Sequence, residues 1–511
     1  MIVVLPLFAI GVYDVAQRRH TVLRNFPIIG HGRYMLESVR PEMQQYFIES
    51  DLDAYPVERE KRSVVYQRAK GQLETKPFGT IRDVYRVGYE WAAHSINPCE
   101  PLDEEPRITI GRGDEAYSAS LLNISAMSFG SISPAAVLAL NKGAKLGNFA
   151  HNTGEGGLSD YHLEGGGDVI WQIGTGYFGC RTDDGGFDAD EFRAKSAHEI
   201  VRMIEVKLSQ GAKPGAGGIL PGIKVTPEIA KYRGVKVGET CYSPPSHREF
   251  DSPVGLLEFI ARLRELAGGK PVGFKLCIGR RGDFFAICKA MLETNIMPDF
   301  IAVDGGEGGT GAAPMEFSNS LGVPARDAWI FVGSALTGID LRERVRVIAS
   351  GKIMTGFDMI RALALGADLC YSARGMMFAL GCIQALRCNT NRCPTGITTL
   401  DPALMYGLDV ELKSARVARY HDATIDSALH LLAAMGLEHP DELQPEHLFR
   451  RIDDLLVRSM GELYDFLEPG QLLDESSIPE GMRKEWHDSR ADRWSVKTEE
   501  GPYGGTRLRD N

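Results

Sequence analysis

PVGLLEFIARLRELAGGKPVGFKLCIG, residues 253–279, holds the pattern on which the fold turns. Its first half reads as an amphipathic helix, and VGFKLCI after it as a near-continuous apolar run of strand length closed by a glycine. TGFDMIRALALGA followed by DLCYSA, residues 355–373, repeats the arrangement. LLNISAM (121–127), DVIWQIG (168–174), DFIAVDG (299–305) and RVRVIAS (344–350) are further runs of the same kind. Strands apolar on both faces and separated by helices point to parallel βα units. Repeated across roughly 280 residues, such units predict an α/β chain folded as a closed TIM-like (β/α)8 barrel, with an open doubly wound sheet as the alternative.

The barrel is expected over 105–450. Residues 17–104 read as an irregular, mainly helical extension, and 451–511 as a C-terminal helix and polar tail. RRIDDLLVRSMGELYDFL (450–467) supplies that helix, and TEEGPYGGTRLRDN (498–511) reads as a loosely held end. Glycine is over-represented, at 57 of 511 residues, which is about 11% against a usual ~7% and suggests backbone-lined ligand sites. A net charge of −11 gives none of the basic footprint of a nucleic-acid partner. Nine cysteines, an odd count set mostly in apolar runs, fit a reducing, cytoplasmic compartment. MIVVLPLFAIGVY, residues 1–13, has no charge and falls short of the ~20 apolar residues of a spanning helix. It lacks the basic start and small-residue cleavage site of a signal peptide. Residues 1–16, flanked by Arg18 and Arg19, therefore read in two ways. They anchor the chain to the inner face of a membrane, or they form an apolar arm buried in the protein or an oligomer.

In a barrel the chemistry gathers where strands end. SAMSFGSIS (125–133) follows the first run with small hydroxyl residues and Met127. HNTGEGG (151–157) offers Glu155 in a loop that glycine must bend, and WQIGTGYFG (171–179) offers Gln172 before another glycine turn. SQGAKPGAGG (209–218) carries Gln210 and Lys213. Lys275 interrupts an otherwise apolar strand, so either a structural carboxylate pairs with it or it reaches a cofactor or substrate. DGGEGGTGAAP (304–314) exposes backbone amides suited to a planar cofactor or a phosphate. CIQALRCNTNRC (382–393) holds Cys382, Cys388 and Cys393, which are either three small packing side chains or a set of thiolate ligands.

Taken in order from about residue 110 to 430, SAMSFGSIS, NTGEGG, QGAKPG with LPG and KV, SPP, VGFKL, DGGEGGTGA and GC-x5-C-x4-C-P-x-G resemble the FMN-binding synthase domain of the glutamate synthase family. The resemblance implies a barrel holding FMN and a [3Fe-4S] cluster. Ammonia would convert 2-oxoglutarate to an imine, which reduced flavin reduces to glutamate. Matched motif by motif, Met127, Ser128, Gln172 and Lys275 would contact the isoalloxazine. Gly305, Gly306, Gly309, Thr310 and Gly351 would line its ribityl and phosphate end. Glu155, Gln210, Lys213 and Arg233 would hold the keto acid, with Glu155, Lys213 and Lys275 as candidate catalytic groups. The three cysteines would ligate the cluster, and Cys370 reads as packing. Departures from the family pattern stand at Ala216 and Ile219, in the Ala349–Ser350–Gly351 turn, and at Ala373 and Arg374, where the arginine itself would bind phosphate. The family's glutaminase domain and C-terminal β-helix have no counterpart here. Ammonia is therefore expected from solution or a glutaminase partner, and electrons from ferredoxin or a separate reductase subunit. An aminase or transferase acting on another oxo acid or amine, and a non-catalytic electron-transfer or redox subunit, are the competing functions.

Overall fold

Eight parallel strands close into a barrel in the computed structural model, which describes residues 3–494. They are β1 (Leu122–Ile124), β2 (His151–Asn152), β3 (Val169–Ile173), β4 (Val201–Lys207), β5 (Val272–Cys277), β6 (Phe300–Asp304), β7 (Arg346–Ser350) and β8 (Leu369–Ser372). Strand order follows chain order, and β8 returns to β1 with Cys370 opposite Leu122 and Ser372 opposite Ile124. Every residue of β3, β5 and β6 is buried, as a sheet filled inside and covered by helices outside requires.

The helices begin where their sequences say they should. In Pro253–Leu266, Ser252 accepts the Gly255 N–H and proline occupies the first turn. Gly356–Ala364 starts from a reciprocal Thr355–Asp358 capping box. The 25-residue helix Val410–Ala434 packs along Pro134–Leu146, closing the wall after the cysteine segment.

Six strands coincide with the apolar runs; β2 and β4 do not. β2 is only two residues long. β4 reads VRMIEVK, and its charges hide it from a search for apolar runs. Glu205 and Lys207 alternate with the apolar Ile204 and Val206, so a period of two sends the charged pair to the lumen. The expected helix over 450–467 is instead a β-hairpin, Leu448–Arg451 with Val457–Ser459, followed by the short helix Met460–Leu463. The hairpin is captured by Glu90–Ala92, which pairs antiparallel with its first strand. The C-terminal helix lies at Glu480–Asp488. The polar end 498–511 lies outside the described residues.

The chain divides into two compact units, Met1–Ser63 and Val64–Asn511. The first contains α1 (Val4–Ala16), α2 (Thr21–Asn25) and α3 (Gly30–Met43). Among the described residues no helix is long and apolar enough to cross a membrane.

Candidate active site

All eight strands contribute to one cavity at their carboxyl ends. Its volume is about 600 Å³, counting the part open to solvent. Ser125, Ala126 and Ser128 enter after β1, Gly154 and Glu155 after β2, and Gln172 from β3. Lys207 and Gln210 come from the end of β4, and Lys275 from β5. Asp304 ends β6, with Gly308 and Gly309 after it; Ser350 ends β7, with Gly351 to Met354 after it; and Tyr371 comes from β8, with Ala373 and Arg374 after it. Gly154 shows how tightly the loops stack. Its φ is +64°, and a Cβ there would lie 2.6 Å from the Ser128 backbone nitrogen.

One group of side chains is organised around Glu205. Its carboxylate is wholly buried and accepts from Asn152 Nδ2 at 2.9 Å and Gln172 Nε2 at 2.5 Å. Burial raises its pKa, outweighing the opposing Lys275 charge and the amide hydrogen bonds. Lys275 stands 3.5 Å from Asp304, both side chains 6% exposed, so the structural-carboxylate partner exists. Asp304 also accepts the Gly211 N–H at 2.9 Å and lines the cavity itself.

A second group surrounds Glu155. Lys207 Nζ lies 2.7 Å from the Glu155 carboxylate and donates to Gln210 Oε1 at 2.7 Å. Burial opposes ionisation of Glu155, but Lys207, Lys213 and Arg233 outweigh it and hold the carboxyl below its usual range. Burial pushes the Lys213 ammonium down to about 8, with Glu155 opposing and Lys207 adding to the effect. Lys213 Nζ donates to the Ala312 carbonyl at 3.2 Å. Arg233, at the end of the helix Pro227–Arg233, donates to the Phe129 carbonyl at 3.1 Å and covers the Phe178 ring at 4.9 Å.

Of the residues singled out from sequence, Ser128, Glu155, Gln172, Gln210, Lys275, Gly309, Gly351, Ala373 and Arg374 line the cavity. Met127, Lys213, Arg233, Gly305, Gly306 and Thr310 lie outside its lining. Lys213 and Arg233 still act on Glu155 through their charge, and Thr310 accepts from Gln210 at 3.3 Å. Sequence reasoning missed Lys207, Glu205, Asp304 and Tyr371. For the first two the available signal was the E-x-K alternation in IVRMIEVK.

At the β6–β8 side, Arg374 donates to the Glu307 carbonyl at 2.6 Å and lies across Gly309, where a Cβ would meet its Nε at 3.2 Å. Gly351 has φ +139°, and a Cβ there would sit 2.7 Å from Ala325 Cβ; only glycine closes this turn without displacing a neighbour.

The cysteine segment is irregular. Thr398 lies beside both Cys388 and Cys393, and the Cys393 thiol acts electrostatically on Cys388. Cys393 Sγ also meets Thr395 Oγ1 at 3.3 Å. Cys382 Sγ accepts the Gln384 N–H at 3.4 Å. Among the described residues no three His, Cys, Asp or Glu side chains are grouped to hold a metal ion. Buried Lys224 donates to the Thr398 carbonyl at 2.6 Å and the Ser131 carbonyl at 3.0 Å. It thereby ties the cysteine segment to the loop that carries Met127 and Ser128. Cys370 is wholly buried on β8, which pushes its thiol pKa up.

Residues 103–438 match the conserved region in glutamate synthase. Over 492 residues the chain is 38% identical to glutamate synthase large subunit-like protein YerD of Bacillus subtilis (strain 168), covering 88% of this chain and 93% of that one. It is 35% identical over 320 residues to an NADPH archaeal-type glutamate synthase of Thermotoga neapolitana, covering 62% and 60% of the two chains. Against the NADPH archaeal glutamate synthase of Methanocaldococcus jannaschii the figures are 35% over 322 residues, 63% and 60%. The chain therefore spans three fifths of these two relatives. The family match runs unbroken through all eight strands and every residue that lines the cavity, and the chain belongs to the glutamate synthase family.

Proposed function

We propose that this chain is an FMN- and iron–sulfur-dependent oxidoreductase of glutamate synthase type. It aminates 2-oxoglutarate to 2-iminoglutarate and reduces that to glutamate, with ammonia from solution or a glutaminase partner. The observation that carries the reading is the acid–base group Glu155–Lys207–Gln210, set in the same cavity as Gln172 and Lys275 and flanked by Lys213 and Arg233.

The residues present fit FMN. Lys275 is a buried cation for the electron-rich edge of the ring. Gly351 brings backbone close at the β7 end. Among the described residues Arg374 makes one side-chain hydrogen bond, to a carbonyl, while a guanidinium has five donors to offer a phosphate. Bound there, FMN supplies the two electrons that reduce the imine. The chain supplies the rest. Lys207, Lys213 and Arg233 are cations for the two carboxylates of the oxo acid. Glu155, held ionised, accepts a proton from the incoming nitrogen, and Lys213, with a pKa of about 8, is placed to give one to the departing carbonyl oxygen.

Support for the cluster is the shared surroundings of Cys388 and Cys393 and the Lys224 bridge to the flavin-side loop. In a [3Fe-4S] centre the thiolates belong to separate irons, so Cys382, Cys388 and Cys393 need not converge on one point as ligands of a single ion do. Ferredoxin or a reductase subunit would deliver electrons at this end.

The test starts with anaerobically purified protein, its visible spectrum and its flavin and iron content. Chemically reduced protein is then given 2-oxoglutarate and saturating ammonium. Glutamate should form as the flavin spectrum returns to the oxidised form. Reduced flavoprotein that yields no glutamate refutes the substrate assignment, and colourless, iron-free protein refutes the cofactors.

A further inference from the structure

The first unit presents a large apolar surface. Leu5, Phe8 and Val12 share one face of α1 at helical spacing and are 60%, 69% and 53% exposed. Phe26 at the end of α2, Ile29 before α3 and Leu36 on α3 are 62%, 82% and 65% exposed. The three helices pack in succession. So many large apolar side chains on one small unit mark an interaction surface.

Charge identifies the occupant. Between residues 3 and 36 the chain has four arginines, Arg18, Arg19, Arg24 and Arg33, and one carboxylate, Asp14. All four arginines are exposed. Asp14 is wholly withdrawn from solvent and accepts the Ile28 N–H at 2.9 Å and His31 Nε2 at 2.9 Å. Arg33 pairs with Glu37 one turn along α3, whereas Arg18, Arg19 and Arg24 have no ion pair among the described residues. The surface of α1, α2 and the segment joining them is thus cationic, the unit's other carboxylates beginning at Glu37 on α3, in a chain whose net charge is −11.

We propose that the first unit docks on an anionic phospholipid membrane. Its apolar side chains enter the acyl boundary, and Arg18, Arg19 and Arg24 bind headgroup phosphates. A second copy of the chain fits this surface poorly, because a two-fold contact would bring two copies of the same cationic surface together.

The test is sedimentation of the full chain with phosphatidylcholine vesicles prepared with and without phosphatidylglycerol. The proteins compared are wild type, the triple variant Arg18→Gln/Arg19→Gln/Arg24→Gln, and Phe8→Ser. Each arginine near an anionic surface contributes about fivefold to partitioning, so the triple variant should bind phosphatidylglycerol vesicles roughly a hundredfold more weakly. Raising the salt should weaken wild type in the same direction, and Phe8→Ser should reduce binding at every salt concentration. Unchanged thermal unfolding of the variants shows that the chain still folds. Failure of wild type to bind, or equal binding of wild type and triple variant to both vesicle types, overturns the proposal. So does a lipid-independent dimer that Phe8→Ser dissociates, which would assign the patch to a second copy.

Discussion

Raising the pH from 7 to 9.5 should weaken 2-oxoglutarate binding about thirtyfold through the single ammonium of Lys213. The side chain is 4% exposed, and burial brings its pKa down to about 8 in the free protein. A carboxylate arriving beside it stabilises the charged form, so the pKa in the complex is higher than in the free protein. Affinity is then complete below about 8 and falls as pH rises through that value, by about tenfold per unit until the pKa of the complex is reached. At pH 7 about nine tenths of the free protein carries the charge and at pH 9.5 about 3%, a ratio worth about 2 kcal/mol. Calorimetric titration of 2-oxoglutarate into oxidised protein across this range measures it directly. Lys213→Arg should bind with a flat profile, because guanidinium does not titrate there. Lys213→Met should bind weakly and without the inflection. A wild-type profile flat to pH 9.5, or the same inflection in Lys213→Met, refutes the reasoning.

Lys207→Met leaves the Glu155 carboxylate without its nearest cation. Stability should drop toward the lower end of about 3–5 kcal/mol in denaturant unfolding, because Lys213 and Arg233 still face the acid. Adding Glu155→Gln should restore most of that loss in the double variant. Arg374→Gln should weaken FMN retention by roughly ten- to a hundredfold, read from flavin fluorescence released on dialysis, the change expected from losing a charge-assisted contact. Cys388→Ser should abolish co-purifying iron and acid-labile sulfide, while Cys370→Ser, altering a thiol packed inside β8, should keep both.

The barrel was legible because its strands are apolar on both faces, a property written locally in runs such as DFIAVDG and confirmed over Phe300–Asp304. β4 was not, because its lumen-facing residues carry chemistry, and Glu205 and Lys207 break the apolar signature that announced its neighbours. The segment 450–467 misled for the opposite reason. Its apolar residues accept a helical reading, yet a strand some 360 residues earlier in the chain pairs with Leu448, Phe449 and Arg450 where the segment begins and starts it as a hairpin. Trp91 stacks on Phe449 at 5.9 Å, and Glu90 ion-pairs with Arg326, Arg361 and Arg450.

The site divides in the same way. Sequence by itself determined the parallel α/β class, the glycine loops at the strand ends and the residue types that gather there, because each of these is set by neighbours within a few positions, whereas closure of eight strands into a barrel is a property of the packed sheet. Only the tertiary structure decided the pairings. It joined Glu155 to Lys207, Lys275 to Asp304, and Gln172 and Asn152 to Glu205. It withdrew Asp14 from the surface of α1 and left the arginines outside. These partners lie on different strands or helices, and a buried charge is stable only beside the group that compensates it, so their choice waits until the elements have packed.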